Sequence, residues 1–208
     1  MGAIPLISVV DDDESVRESL PDLLRELGFA ACAFPSGEEF LASGYDDQAQ
    51  CLILDIAMPG MSGPDLHREL QRRQKKIPII FITGHGDVPT SVQAMKAGAV
   101  KFLTKPMQDD LLLGAIGKAI ERSRVAICQE VEMRALEDRY ASLTPREREV
   151  MALVVAGRLN KQIGGELEIS EITVKAHRGR VMRKMKADSL AELVKISARL
   201  RPTPAPKV

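Results

Sequence analysis

The chain has 208 residues with 29 basic and 29 acidic side chains, so its formal net charge is zero. Residues 1–143 carry 15 basic and 22 acidic side chains, whereas residues 144–208 carry 14 and 7. A hydrophobic content of 45% excludes a mainly disordered chain, and no apolar run approaches the roughly 20 residues that span a bilayer. The length fits two domains. Their opposite charges predict that one domain binds cations or carries out phosphate chemistry, while the other binds a polyanion.

The N-terminus and the cysteines predict a soluble protein of the reducing cytoplasm. No basic segment precedes the short apolar run that reaches Asp11, so a signal peptide is not expected. Cys32, Cys51 and Cys128 are far apart and lack the spacing of metal ligands. We therefore expect reduced thiols.

Short apolar runs alternate with amphipathic segments over the first 125 residues. Several runs are continuously apolar, which is typical of strands covered on both faces. The predicted strands are 6–10, 30–34, 51–54, 79–82 and 101–104. The predicted helices are 15–27, a segment that starts at Ser36, 63–75, 90–97 and a segment from 108 onward. Five such units predict a doubly wound α/β fold with a five-stranded parallel sheet, and Pro21 predicts a kink in the first helix.

Polar side chains follow four of the five predicted strands. Asp11, Asp12, Asp13 and Glu14 follow the first, and Asp55, Thr83 and Lys105 follow the third, fourth and fifth. Ligands bind beyond the carboxyl ends of the strands in such sheets, so these groups are expected to converge. Clustered carboxylates favour the binding of Mg²⁺, and a carboxylate can accept a phosphoryl group. A lysine and a threonine can then bind the oxygens of that phosphoryl group. The pattern predicts phosphoryl transfer onto Asp55, while ordinary helix capping is the alternative interpretation for Asp13 and Glu14.

Residues 108–143 are predicted to form one long helix that becomes a connector. Its apolar residues recur at spacings of four and seven, with mixed charges between them. A packed or semi-rigid linker is the interpretation we favour, and a short coiled coil is the alternative.

Four short helices are predicted after residue 143. Thr144 and Glu147 form a capping box at the start of the first, and Asn160, Ser170 and Ser189 are the predicted N-caps of the others. Helices of this length, with a turn at 168–170, predict an all-α helix-turn-helix domain.

The third of these helices has two distinct faces. Val174, Val181 and Met185 share one face and are predicted to pack inward. The opposite face is basic or small, which suits a major groove, although a solvated basic helix is the alternative. This face comprises Lys175, Ala176, Gly179, Arg180, Arg183 and Lys186, with Thr173, His177 and Lys184 at its flank.

The motifs of the first 125 residues resemble the receiver domain of two-component response regulators. They are Val9-Val10-Asp11-Asp12, the segment 54–63 with the sequence LDIAMPGMSG, Thr83-Gly84 and Lys105-Pro106. The segments 83–89 and 94–99 resemble the FixJ-like subgroup in particular.

This resemblance implies a flavodoxin-like sheet with strand order 2-1-3-4-5 and a set of site residues. Asp55 would be the phosphoacceptor, with Thr83 and Lys105 in catalytic roles and Thr83 and Phe102 as the switch. Mg²⁺, or Mn²⁺, would be held by Asp11, Asp12, Asp55 and the backbone carbonyl of Ala57. A cis Lys105-Pro106 bond and a dimer face with Val92, Met95 and Lys96 are also implied.

The last 65 residues resemble the LuxR-type DNA-binding domain. The matching segments are 143–150, 160–163, 169–170 and 173–178, and the departures are Gly164, Gly165 and Gly179. The resemblance supports Lys161, Lys175 and His177 as DNA contacts. Together with the basic face, the predicted set is Lys161, Thr173, Lys175, Ala176, His177, Gly179, Arg180 and Arg183.

These patterns predict a receiver domain at 1–125, a helical linker at 126–143, a DNA-binding domain at 144–201 and a disordered tail at 202–208. The predicted function is a phosphorylation-dependent transcriptional regulator in the cytoplasm, not an enzyme. The receiver would support only Mg²⁺-dependent phosphoryl transfer to its own Asp55 and slow self-dephosphorylation. Expected partners are a sensor histidine kinase, promoter DNA, a second copy after phosphorylation and RNA polymerase, with no membrane.

Two other classes of protein are alternatives. A Mg²⁺ phosphatase could use an aspartate nucleophile, but such enzymes usually have a second acid two residues on, where this chain has Ala57. The second alternative is a DNA-binding protein whose receiver is vestigial, so that phosphorylation does not change its affinity for DNA.

Overall fold

The computed structural model describes residues 4–84 and 99–200. The chain divides into two compact units, Met1–Ile127 and Cys128–Val208. The predicted helix 90–97, the predicted dimer-face residues Val92, Met95 and Lys96, and the tail 202–208 all lie outside the described residues.

The first unit contains a five-stranded parallel sheet. Its strands are β1 (Leu6–Val10), β2 (Ala30–Phe34), β3 (Cys51–Asp55), β4 (Ile79–Thr83) and β5 (Lys101–Thr104). They are ordered β2-β1-β3-β4-β5, which confirms the predicted fold and strand order. β3 and β4 are buried along their whole length, as their continuous apolar runs predicted.

Helices cover both faces of this sheet. They are α1 (Glu14–Glu26), α2 (Gly37–Ala42), α3 (Gly63–Arg72) and the first part of α4 (Asp109–Ala141). The side chains of Asp13, Ser36 and Ser62 cap the first three helices by accepting backbone N–H bonds. α1 continues through Pro21.

The core of the first unit lies in two layers, one on each face of the sheet. Ile53 of β3 packs with Leu24 of α1 and Ile116 of α4 in one cluster. Leu54, the next residue of β3, packs with Leu66 of α3 in the other. Successive residues of a strand point to opposite faces, so the sheet separates these two layers. The polar residues Asp55 and Thr83 lie at the carboxyl ends of β3 and β4.

The second unit is helical. The end of α4 is followed by α5 (Pro145–Val155), α6 (Asn160–Glu166), α7 (Glu171–Met185) and α8 (Leu190–Arg199). Its core includes Val150, Ile163 and Val174, with Leu136 of α4 buried in the same cluster and Tyr140 packed against it. Thus part of the segment predicted as a linker belongs to the core of this unit. In the ranges the structure describes, no helix combines the length and the apolar character needed to cross a membrane.

The predicted N-cap of α6 is wrong by one residue. Leu159 is the N-cap and has extended backbone angles, while Asn160 is the first residue of the helix. The Leu159 N–H donates to Gln162 Oε1 at 2.9 Å. The side chain of Asn160 is used elsewhere, since its Oδ1 accepts from Arg178 Nη1 of α7 at 3.2 Å.

Candidate functional site

Asp55 is the last residue of β3, and its side chain is held at two points. The residue is 4% exposed. Its Oδ2 accepts the backbone N–H of Ala57 at 2.7 Å, and its Oδ1 lies 2.8 Å from Lys105 Nζ. A buried carboxylate bonded to both an amide and an ammonium has a fixed orientation at the carboxyl edge of the sheet.

Lys105 joins the ends of two strands. Its Nζ also lies 2.6 Å from Oδ2 of Asp11, which is fully buried after β1. Burial raises the pKa of Asp11, although the Lys105 hydrogen bond opposes this change. Burial by itself lowers the pKa of Lys105, but its hydrogen bonds to Asp11 and Asp55 outweigh that effect and raise it. The three charged groups therefore form one coupled cluster.

Thr83 and Phe102 lie on the neighbouring strands β4 and β5 in different environments. Thr83 is the last residue of β4 and is 5% exposed, and its carbonyl accepts the Lys105 N–H at 2.8 Å. Phe102 of β5 is half-buried and packs against the core that contains Leu54. The Lys105-Pro106 bond is cis, as predicted.

The acidic loop Asp11–Asp13, which follows β1, is held by an arginine that sequence reasoning missed. Arg17 Nη1 donates to the carbonyl oxygens of Asp11 at 3.1 Å and Asp12 at 2.6 Å. The Asp13 N–H donates to Asp11 Oδ1 at 3.0 Å. A basic residue one turn into the helix that follows consecutive aspartates was the available signal.

Gly63 fixes the distance between α3 and the end of β3. A Cβ at this position would lie 2.3 Å from the carbonyl oxygen of Asp55 and 3.0 Å from Cα of Ile56. The Gly63 N–H also donates to the Ile56 carbonyl at 3.1 Å. This close approach predicts that no residue with a side chain fits here without moving the Asp55 segment.

The charged edge provides a partial set of metal ligands. Asp11 and Asp55 lie close together, since the carboxylates of both contact Lys105 Nζ. Asp12 is exposed. Across residues 4–84 and 99–200, no three side chains of His, Cys, Asp or Glu are grouped so that they could hold a metal alone. Two carboxylates supplemented by a backbone carbonyl, water and phosphate oxygens fit Mg²⁺, which usually keeps several waters.

A second candidate site is the exposed face of α7. Val174, Val181 and Met185 are buried, which confirms the predicted inward face. The opposite side carries most of the predicted DNA contacts, and Thr173 and His177 there are half-buried. Lys161 is exposed on α6. The exposed contacts on α7 are Lys175, Ala176, Gly179, Arg180 and Arg183.

A buried network fixes α7 to the segment that precedes α5. Glu147 is 2% exposed, and its Oε2 accepts the Thr144 N–H at 2.9 Å and Lys184 Nζ at 2.7 Å. Lys184 Nζ also donates to the Ser142 carbonyl at 2.9 Å. The Lys184 hydrogen bond lowers the pKa of Glu147, and the Thr144 N–H adds to that effect. The pattern predicted the Thr144–Glu147 capping box, but it placed Lys184 only on the flank of the DNA face.

Comparison with known proteins gives two family matches. Residues 7–117 match the response regulator receiver domain, and residues 141–197 match the bacterial regulatory proteins of the luxR family.

The relatives match nearly the whole chain. Nodulation protein W of Bradyrhizobium diazoefficiens is 48% identical over 195 residues, covering 94% of this chain and 86% of the relative. The transcriptional regulatory protein FixJ of Rhizobium meliloti is 45% identical over 191 residues, covering 92% and 94%. The structure of the response regulator StyR is similar with a TM-score of 0.84 and 45% identity, covering 95% of this chain and 100% of that chain. The chain therefore joins a receiver domain to a LuxR-type DNA-binding domain and belongs to the FixJ-like transcriptional response regulators.

Proposed function

We propose that Asp55 accepts a phosphoryl group from a sensor histidine kinase and that this modification controls DNA binding. The observation that carries the proposal is the position of Asp55. Its buried carboxylate lies at the carboxyl end of a central strand, bonded to the Ala57 N–H and to Lys105. An oriented carboxylate beside an ammonium is suited to attack phosphorus, because the ammonium can bind the phosphoryl oxygens.

The neighbouring residues have distinct proposed roles. Lys105 neutralises the phosphoryl oxygens, and the Thr83 hydroxyl donates a hydrogen bond to one of them. Asp11, Asp12, Asp55 and the Ala57 carbonyl would hold Mg²⁺ or Mn²⁺. When bound, the cation would offset the negative charge that gathers on the transferring group. Arg17 keeps the two carbonyls of the acidic loop in place and so positions Asp11 and Asp12.

The later steps concern the rest of the chain. Thr83 and Phe102 are the proposed switch, and receivers are proposed to dimerise through a face with Val92, Met95 and Lys96. The proposed receiver spans 1–125 and the DNA-binding domain 144–201, joined by residues 126–143. The phosphorylated dimer would bind promoter DNA in the cytoplasm and contact RNA polymerase.

The phosphoacceptor is tested with Asp55→Asn in the full chain. We expect the variant to take up no phosphate from acetyl phosphate or a cognate kinase, because the amide is a poor nucleophile. Asp22→Asn is the matched control, since it makes the same change on the exposed side of α1. Uptake by Asp55→Asn at the wild-type rate would refute the assignment.

The proposed DNA contacts are Lys161, Thr173, Lys175, Ala176, His177, Gly179, Arg180 and Arg183. Exposed cations on a helix that follows a tight turn support the proposal. Replacing both Lys175 and Arg180 with alanine should weaken DNA binding by roughly tenfold or more. Lys195→Ala, which removes an exposed charge from α8, should have little effect. Equal affinities for the double variant and the wild type would remove this assignment.

Control by phosphorylation is tested separately. Beryllofluoride, a mimic of the phosphoryl group, should raise DNA affinity and promote dimers of the wild type but not of Asp55→Asn. Unchanged affinity and oligomeric state would instead indicate a constitutive DNA-binding protein.

A further inference from the structure

Ile172 is an exposed apolar residue at the start of α7. It is 80% exposed, the largest value for a large hydrophobic side chain among the residues that the structure describes. Single exposed apolar residues are common on protein surfaces, so exposure alone carries no functional meaning. The position of Ile172 on the helix is what distinguishes it.

Ile172 lies in the middle of the basic face. With about 100° of rotation per residue, Ala176 and Gly179 lie within about 40° of Ile172 around the helix axis. Lys175 and Arg180 lie on either side of Ile172 at about 60° and 80°, and Arg183 lies about 20° from Ile172, three turns further along the helix. All five of these neighbours are exposed. The face therefore has a narrow apolar strip, Ile172 and Ala176, flanked by cations.

Among the described residues of the second unit, the hydrophobic core does not include the Ile172 side chain. The N-terminus of α7 is fixed by Ser170, whose Oγ accepts the Thr173 N–H at 3.1 Å. Its packing is supplied by Val174, which is fully buried. Isoleucine is also a poorer helix former than alanine, so helix stability does not favour it here.

We propose that the strip formed by Ile172 and Ala176 packs against the C5 methyl group of a thymine in the major groove. This inference rests on the proposed DNA binding and adds a base contact to it. The thymine methyl is the apolar group that a base pair presents in this groove, and the first residues of a recognition helix reach the base edges. The flanking cations complement the phosphates and would hold the strip against the bases.

The test begins by selecting duplexes from a random pool with the full-length protein bound to beryllofluoride. Wild-type protein should enrich a T·A pair at a fixed position in each half-site, and Ile172→Ala should enrich it less. Deoxyuridine, which lacks the methyl group, then replaces that thymidine. Burial of one methyl group contributes about 0.8 kcal/mol, which corresponds to roughly fourfold in affinity. We therefore expect about a fourfold loss per half-site for the wild type and a smaller loss for Ile172→Ala, which keeps the contact of Ala176 alone.

Two controls separate this contact from other effects. Ile172→Ala should not lower the thermal midpoint, because alanine is the better helix former at this exposed position. Val194→Ala, which shortens an exposed side chain on α8, should respond to deoxyuridine as the wild type does.

The outcomes distinguish the contact from DNA binding itself. If the wild type selects a sequence but deoxyuridine has no effect, or has the same effect on Ile172→Ala, the thymine contact is wrong and DNA binding stands. An unchanged selection by Ile172→Ala also overturns it and would direct attention to a protein partner. If the wild type selects no sequence, both proposals fail.

Discussion

Replacing Gly63 with alanine tests whether the close approach of α3 to β3 positions Asp55. The new Cβ would lie 2.3 Å from the Asp55 carbonyl oxygen and 3.1 Å from the carbonyl carbon of the same residue, whereas ordinary contacts begin at 3.4 Å. The three atoms nearest to this Cβ belong to the backbone, so side-chain rotation cannot relieve these contacts. The end of β3 and the start of α3 must separate by about 1 Å.

The size of the effect follows from that displacement. Overpacking of this kind costs typically about 1–3 kcal/mol of folding stability. A shift of about 1 Å in a reacting group can reduce a rate by roughly 100-fold. Because Asp55 is bonded to Lys105 and to the Ala57 N–H, the shift should also lengthen these bonds.

The assay compares phosphorylation by acetyl phosphate and thermal unfolding in the full chain. Gly117→Ala is the matched control, because it makes the same change in α4 of the same unit and its Cβ meets none of the described residues within 4 Å. We expect the control to phosphorylate normally and to be more stable by up to about 1 kcal/mol. If Gly63→Ala phosphorylates and unfolds like the wild type, the close approach does not position Asp55.

Three further predictions concern other parts of the chain. Arg17→Gln should weaken Mg²⁺ binding by roughly tenfold or more, because the arginine orients the loop that carries two proposed ligands. Calorimetric titration measures this, with Arg25→Gln on the same helix as the control, and equal affinities would contradict it. The second unit should lose stability as the pH falls below 4.5, because the pKa of Glu147 is lowered from that value by folding and its stabilising charge is lost on protonation. In Lys184→Met this loss between pH 4.5 and lower pH should be smaller, because the hydrogen bond that lowers the pKa of Glu147 most is gone, and a loss as large as that of the wild type would refute the pairing. Gly179→Ala should raise the stability of the second unit by about 1 kcal/mol, since no atom in the part of the chain that the structure describes lies within 4 Å of the added Cβ. An unchanged or lower unfolding midpoint would contradict this.

The fold was predictable because its main determinant is local. Continuous apolar runs separated by capped amphipathic segments specify parallel strands with crossover helices, and β3 and β4 are buried throughout as that pattern requires. The error at Asn160 arose because its side chain bonds to Arg178, 18 residues away, instead of capping its own helix. Pairings between distant side chains depend on packing that a local pattern does not contain.

The same division applies to the candidate site. Topology alone places Asp11, Asp55, Thr83 and Lys105 at one edge of the sheet, because each follows or ends a parallel strand. It does not reveal that Lys105 bridges two carboxylates or that Arg17 reaches back to the loop. Those bonds depend on rotamers and on the exact approach of α1, neither of which has a periodic signal.

Several cations of the second unit already have bonding partners within that unit. Lys184 is paired with the carboxylate of Glu147, and Arg146 with that of Glu149. Residues 144–208 contain 14 basic side chains, but a cation that is paired inside the protein displaces few condensed ions from a DNA duplex. Fewer counterions should therefore be released on DNA binding than 14 basic side chains would release. The slope of log affinity against log salt concentration should instead reflect the number of exposed cations on α6 and α7.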